Sequence, residues 1–465
     1  MEQPNSRTGR LIRAGCALAA ALLAGTAAAP AQAAPGRGDT ELVSVGPDGA
    51  KSDGWSKTLG LSGDGRYALF MSEADNLVPG DTNGRRDLFV RDLWTRHTER
   101  VNLADDGTQP AESTSGGAIS GDGRYVAFST EASGVAPGEH PGRIANVYVR
   151  DLRTGRTELV TTGDPASDQS GRNSFDPVLS WDGRYVAFSS TRTDLVPGAA
   201  YRPWAWNDFV TDRRTGTTTL ITVGADGSPA NAGSGSVTIS ADGATIGFSS
   251  AATNLLAPDG PAAPPPSPAG TPPGLTAPRY DPYYVYDARA GRIRGASIDA
   301  DGALRRLGDF GGTLSADGRY AVFTLNEPGG PPDGPGSHLE LYVRDLRQGT
   351  VTKVSTPLPG TTTTRSSRNG VMGLDGRWVV FASDAENLVP GDTNGVADVF
   401  RHDLWTGRTE RVSVAPDGSQ TPGASSAPVV DATGSTVLFV SQDGTLTPGD
   451  TNGVQDVFVR RLPPL

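Results

Sequence analysis

Three segments of this chain set carboxylate and amide oxygens at the spacing that hard cations use. They read Pro79-Gly80-Asp81-Thr82-Asn83-Gly84 to Asp87, Pro390-Gly391-Asp392-Thr393-Asn394-Gly395 to Asp398, and Pro448-Gly449-Asp450-Thr451-Asn452-Gly453 to Asp456. The shared D-x-N-G-x-x-D pattern offers oxygen ligands around a glycine turn, so calcium is the one cofactor the sequence raises. The loop is shorter than a twelve-residue calcium loop and lacks the terminal glutamate. The same residues support a plainer reading: Asp and Asn close Asx turns on their own backbone, while Asp87, Asp398 and Asp456 open strands. A second cluster, Tyr201, Trp204 and Trp206 within YRPWAW, could form a platform for a sugar ring or a protein side chain, or could pack down over the strands beneath. The four histidines, His97, His140, His338 and His402, are scattered without metalloprotease spacing, and no nucleophile elbow or phosphate-binding loop occurs. No catalytic residue is assigned.

The elements that must carry these residues come from an internal repeat. Ser-Gly-Asp64-Gly65-Arg66-Tyr-Ala-Leu-Phe70 recurs around Asp122, Asp182, Asp242, Asp317 and Asp375, and in weakened form around Thr433, at spacings of 58, 60, 60, 75, 58 and 58 residues. The long interval contains a proline-rich insertion at about 257–282, read as a partly polyproline spacer. Each unit carries four strand signals. In the second they are Gly117 to Ser120, Tyr125 to Thr130 after an Asp-Gly turn, Asn146 to Leu152, and Thr157 to Thr161 after a Thr-Gly turn. Runs such as Tyr125-Val126-Ala127-Phe128 are apolar throughout, as strands covered on both faces require. The predicted fold is therefore all-β: a seven-bladed β-propeller of four-stranded antiparallel blades. The last unit ends without a fourth strand, and Glu41-Leu42-Val43-Ser44-Val45 matches the missing pattern, so the N-terminal strand is expected to complete the last blade and close the ring.

S-x-D-G-R-Y-V-A-F followed by D-V-F-V-R-D-L-x-T-G-x-T-x-R-V-S-V resembles the TolB-type, WD40-like repeat, over nearly all of the chain after its first segment. The resemblance implies a propeller scaffold and leaves function open, since this fold hosts binding proteins and enzymes alike. TolB itself adds an N-terminal α/β domain, for which no room is expected before Glu41.

Residues 1–33 read as a signal peptide: Arg7, Arg10 and Arg13 precede an apolar stretch from Ala14 to Ala29, and Ala31-Gln32-Ala33 forms a cleavage site. The mature protein is expected to begin at Ala34, to be secreted or periplasmic, to lose the sole cysteine, Cys16, and to comprise one domain, 34–465. No later apolar run is long enough to span a bilayer. The net charge of −11 argues against a nucleic-acid partner.

In an up-and-down blade the A–B and C–D turns share one face, where this chain uses dipeptide turns, and the long B–C and D–A loops share the other. Units one, six and seven repeat one loop design, whereas units two to five differ, unit five carrying a Gly-Pro segment from Pro328 to His338. The expected function is a monomeric scaffold binding an envelope or extracellular protein, peptide or polysaccharide through the long-loop face. The alternative is a polysaccharide hydrolase or lyase working at the channel mouth.

Overall fold

The Asp-Gly step of each repeat closes the hairpin between its first two strands, and the flanking residues fix that turn. Ser62 Oγ donates to Asp64 Oδ1 at 2.6 Å and accepts the Tyr67 amide at 2.8 Å, while Gly65 adopts φ +70°. Arg66 then reaches the last aspartate of the third strand, Asp92, at 2.6 Å. The same clamp joins Arg124 to Asp151, Arg184 to Asp212, Arg319 to Asp345 and Arg377 to Asp403. Arg124 holds the Asp151 carboxyl down at about 2. The repeated motif is thus turn chemistry plus an ion pair that ties the A–B turn to the C–D turn.

The computed structural model describes residues 38–139, 144–164, 171–202, 204–257, 281–309, 311–329, 337–374 and 376–463. The segment 1–33 expected to be a signal peptide, with Cys16, Ala34 and 258–280 of the proline-rich insertion, lies outside them. The described residues form seven four-stranded antiparallel sheets, each an up-and-down meander with strands A to D from the channel outward. Blade one comprises Ser56–Leu61, Tyr67–Ser72, Asp87–Asp92 and His97–Arg100. In every blade an aromatic on strand B meets one on strand C, as in Phe70–Phe89 at 5.6 Å, Phe248–Tyr284 at 5.7 Å and Phe439–Phe458 at 5.8 Å. These pairs fill the space between sheets and explain the recurring phenylalanines. Between blades, the turn glycine of one blade seats the tyrosine of the blade before it: a Cβ on Gly123 would lie 2.5 Å from Tyr67.

Ring closure follows the expected route. Thr40–Leu42 pairs antiparallel with Asp456–Arg461, Thr40 opposite Arg460 and Leu42 opposite Phe458, so the last blade takes its outer strand from the N-terminal side. Val43 continues the pairing through its amide to Val457 O at 2.7 Å, and Ser44 Oγ donates to Asp456 Oδ1 at 2.6 Å. Blade five departs from expectation. Its strands B and C run Tyr320–Pro328 and Ser337–Asp345, paired out to Pro328 opposite Ser337, so both ends of the segment read as loop extend a hairpin instead. Alternating Leu339 and Leu341 continue the strand C pattern outward, which the Gly-Pro composition of the tip obscured.

Six of the seven A strands contain a register shift, and four place a non-glycine residue at positive φ there: Asp176, Ser236, Asn369 and Ala427. Such bulges bend each inner strand around the axis. At the tight-turn end of the channel the A–B turns bond to one another: Gly63 N to Gly121 O, Asp122 N to Trp181 O, Trp181 N to Ala241 O, Ala241 N to Ala316 O, Leu374 N to Ala432 O and Ala432 N to Gly63 O. Trp181 lies across this end, its ring where side chains on Gly63 and Gly121 would stand.

Candidate functional site

The two ends of the propeller differ in construction, and the difference defines the candidate site. On the tight-turn end the backbone ring and Trp181 constrict the axis, leaving a cavity of about 140 Å³ lined by residues from all seven blades. The other end carries the B–C and D–A loops.

The three D-x-N-G-x-x-D loops lie on that long-loop face, and most of their oxygens are engaged by protein donors, although Asp81 Oδ2 is buried without a hydrogen-bond partner. In blade one, Asn83 Oδ1 accepts the Arg85 amide at 2.9 Å and Asn83 Nδ2 donates to Asp87 at 3.2 Å. Asp81 receives Gln109 at 2.8 Å and Arg100 at 3.0 Å, with Arg100 also 3.7 Å from Asp87. Blade six repeats this: Asn394 donates to Asp398 at 3.1 Å, Gln420 to Asp392 at 2.7 Å, and Arg411 lies 3.3 Å from Asp392 and 3.5 Å from Asp398. Burial raises the Asp81 and Asp398 carboxyls above the usual range, and the neighbouring Asp87 and Asp392 add to it. A guanidinium occupies the point where these carboxylates converge. Blade seven keeps the Asn452 to Asp456 bond at 2.7 Å but has Leu42 at the arginine position and Lys51 at the glutamine position. There Asp450 Oδ1 is buried without a hydrogen-bond partner. Among the described residues no three His, Asp or Glu side chains gather as a metal site.

The aromatic cluster of blade three divides. Tyr201 bends onto the blade, with its hydroxyl donating to Val196 O at 3.1 Å and its ring 6.3 Å from Phe209. Trp206 is half-buried against Phe175 at 5.9 Å. Trp204 alone stands out, 62% exposed, with Arg172 stacked on its ring at 4.6 Å.

Sequence reading missed several residues. Trp94 and Trp405, in the C–D turns of blades one and six, are 64% and 70% exposed on the tight-turn face, each stacked with the clamp arginine, Arg66 or Arg377. Asp208, on strand C of blade three, is fully buried where other blades carry Leu88, Val147, Val399 or Val457. Ser189 donates to its Oδ1 at 2.7 Å and Oδ2 has no partner, so burial raises its carboxyl to about 7. The signal was an aspartate breaking an apolar column of the repeat. Asp176, at the nearby A-strand bulge, is open to channel water yet ringed by protein; burial raises its carboxyl against the pull of Lys57. On the opposite side, a cavity of about 210 Å³ between the inner strands is lined by Thr58, Asp309, Thr313 and Asn369. His402 donates or accepts at Thr409 and is held below the usual histidine range by burial.

Seven radial sheets, each inner strand on the axis and the ring sealed by the N-terminal strand, settle the architecture. The chain is a seven-bladed β-propeller. Solved structures similar to it include TolB from Acinetobacter baumannii, 13% identical over 88% of this chain and 80% of that one with a TM-score of 0.36. A putative TolB from Agrobacterium tumefaciens is 17% identical over 80% and 95%, with a TM-score of 0.37. The β-propeller domain of the trilobed protease from Pyrococcus furiosus is 12% identical over 87% and 95%, with a TM-score of 0.47. The likeness to this propeller is one of fold. No family model and no curated protein matches the sequence. Among the described residues no helix is long and apolar enough to cross a membrane.

Proposed function

We propose that this propeller is an extracytoplasmic scaffold that binds a protein, peptide or polysaccharide through the long-loop face of blades three to five. One observation carries the reading: Trp204 presents a large, rigid ring to solvent in the sector whose loops depart from the repeat, while its two neighbours anchor the loop from below. Exposed tryptophan held in place by packed neighbours is the kind of group that dominates binding energy once a partner covers it. Export rests on the leader at 1–33, whose cleavage N-terminal sequencing of secreted protein tests directly; a start at Met1 would remove the extracytoplasmic reading. The binding reading is tested by glycan and peptide arrays probed with the protein and with Trp204→Ala. Loss of a bound class in the variant supports it, and equal binding removes Trp204 from the site.

A second reading, a polysaccharide hydrolase or lyase at the channel mouth, is favoured by two channel carboxyls raised by burial, Asp176 and Asp309. Acid–base work on a glycosidic bond needs two carboxyls within about 10 Å of each other, so this reading requires a substrate that brings both to one bond across the channel. Reducing-end release from polysaccharides by the wild type, abolished in both Asp176→Asn and Asp309→Asn, would establish this reading over the first. We propose further that the loops at Asp81, Asp392 and Asp450 are framework, with calcium confined, where it binds at all, to the blade-seven loop that lacks an arginine.

A further inference from the structure

Four of the seven seams between blades share a charge pattern, two others carry the neutral Thr219 and Thr352 at the same place, and one reverses the charge. In strand D the third position is glutamate in four blades, and an arginine from the next blade faces each. Glu99 acts on Arg150, Glu410 on Arg460 and Glu41 on Arg91, each stabilising the charged guanidinium, and Glu158 pairs with Arg213 at 2.5 Å. At the seam from blade four to blade five the same place in strand D, Arg292–Gly295, is taken by Arg294, which faces Arg344 of blade five. Two like charges meet where four other seams set a glutamate near an arginine. Arg344 donates to Gly295 O at 3.0 Å, but its Nε is buried with no partner, and among the described residues no carboxylate pairs with Arg294 or Arg344. Burial and the facing Arg294 both lower the Arg344 pKa.

This seam also borders a cavity of about 880 Å³ along the outer rim of blade four. Its walls are mostly apolar, with Leu220, Leu256, Tyr286 and Ile298 beside the two arginines. The volume is that of a small-molecule site, not of a macromolecular interface. Tyr286 itself stands where blades one, two, five and seven put a strand C arginine, so this region exchanges both a cation for an apolar ring and an anion for a cation.

We propose that the rim cavity of blade four binds a small amphipathic carboxylate, its apolar body against Leu220, Leu256, Tyr286 and Ile298 and its carboxylate between Arg294 and Arg344. The ligand's carboxylate takes the place that a glutamate side chain holds at four other seams. A planar guanidinium pair suits a carboxylate, and the apolar wall leaves the Coulombic attraction weakly screened.

Decanoate serves as the probe and decan-1-ol as its uncharged counterpart, each titrated calorimetrically into the mature protein. Wild type is expected to bind decanoate at one site, and decanol at least about tenfold more weakly, since a charge-assisted hydrogen bond is lost. Arg294→Glu introduces the residue type of four other seams, so it should melt at an equal or higher temperature while binding decanoate at least about tenfold more weakly. Arg344→Met should weaken binding likewise and carries the test if Arg294→Glu unfolds. Trp204→Ala should leave decanoate affinity unchanged, which separates this site from the loop face. Absence of decanoate binding, equal affinity for decanol, or equal affinity in the two arginine variants would overturn the proposal.

Discussion

Blades six, seven and one form a sector in which the repeat is kept nearly intact, and blades three, four and five one in which it is rewritten. In the first, carboxylates on the long-loop face are met by Arg100 and Arg411, and seam glutamates by the arginines of the next blade. In the second, an aspartate is buried in an apolar column, a tryptophan is exposed on the long-loop face instead of the tight-turn face, and two arginines line a cavity together. Both sectors use the same four-stranded blade and the same stacked aromatic pair. Blade architecture tolerates large changes at its loops and rim because each blade contacts its neighbours chiefly through the B–C aromatics and the turn glycines. Buried polar atoms without partners occur in both sectors, and in the second Asp208 Oδ2 and Arg344 Nε belong to side chains that depart from the repeat, which makes them candidates for use.

The sharpest way to break the comparison is to open the framework sector. Removing residues 34–46 takes away the outer strand of blade seven, two buried valines, Val43 and Val45, and the hydroxyl that satisfies Asp456. A loss on the order of 5 kcal/mol is expected from the lost burial and the stranded carboxylate, read as a fall in the chemical denaturation midpoint. An unchanged midpoint would mean that the ring does not depend on its closure. Next in size is Arg411→Ala, which leaves Asp392 and Asp398 buried without their cation and should cost about 3 kcal/mol. In the same assay, wild-type melts with chelator and with about millimolar calcium should coincide if protein cations already fill these loops; a calcium-dependent rise abolished by Asp450→Asn would show a cation site in blade seven.

Asp208 tests the rewritten sector through pH. Its folded pKa, about 7, lies above that of an unfolded aspartate, so the native state holds a proton that the unfolded chain releases between about pH 4 and 7. Stability contributed there is present below the unfolded pKa and falls as pH rises through this window. Asp208→Val should therefore stabilise the protein by roughly 2 kcal/mol near pH 8 and by much less near pH 4. A pH-independent difference would mean that the carboxyl is charged and satisfied. The smallest effect is expected at Trp204→Ala, within about 0.5 kcal/mol, because the ring is solvent-exposed and touches chiefly Arg172. A larger fall would place Trp204 among the groups that hold the loop rather than the groups that meet a partner.

Much of this architecture was legible without coordinates. Seven copies of the repeat, four of them reading D-G-R-Y and the rest altered, their spacing near 58 residues and the unmatched Glu41 to Val45 segment determined blade number, strand order and ring closure, because turn dipeptides and apolar runs are local signals that act within a few residues. What decided the candidate sites was contact between blades, which has no local signature. The D-x-N-G-x-x-D loops read alike, yet only the folded ring brings Arg100, Gln109, Arg411 and Gln420 onto two of them and leaves Asp450 without such partners. Tyr201 and Trp206 turned inward and Trp204 outward because the first two find Val196, Phe209 and Phe175 within reach. Trp181 closes the channel end only because seven turns from across the ring converge on it. Arg294 and Arg344 are fifty residues apart in sequence and become a like-charged pair only when blade five packs against blade four.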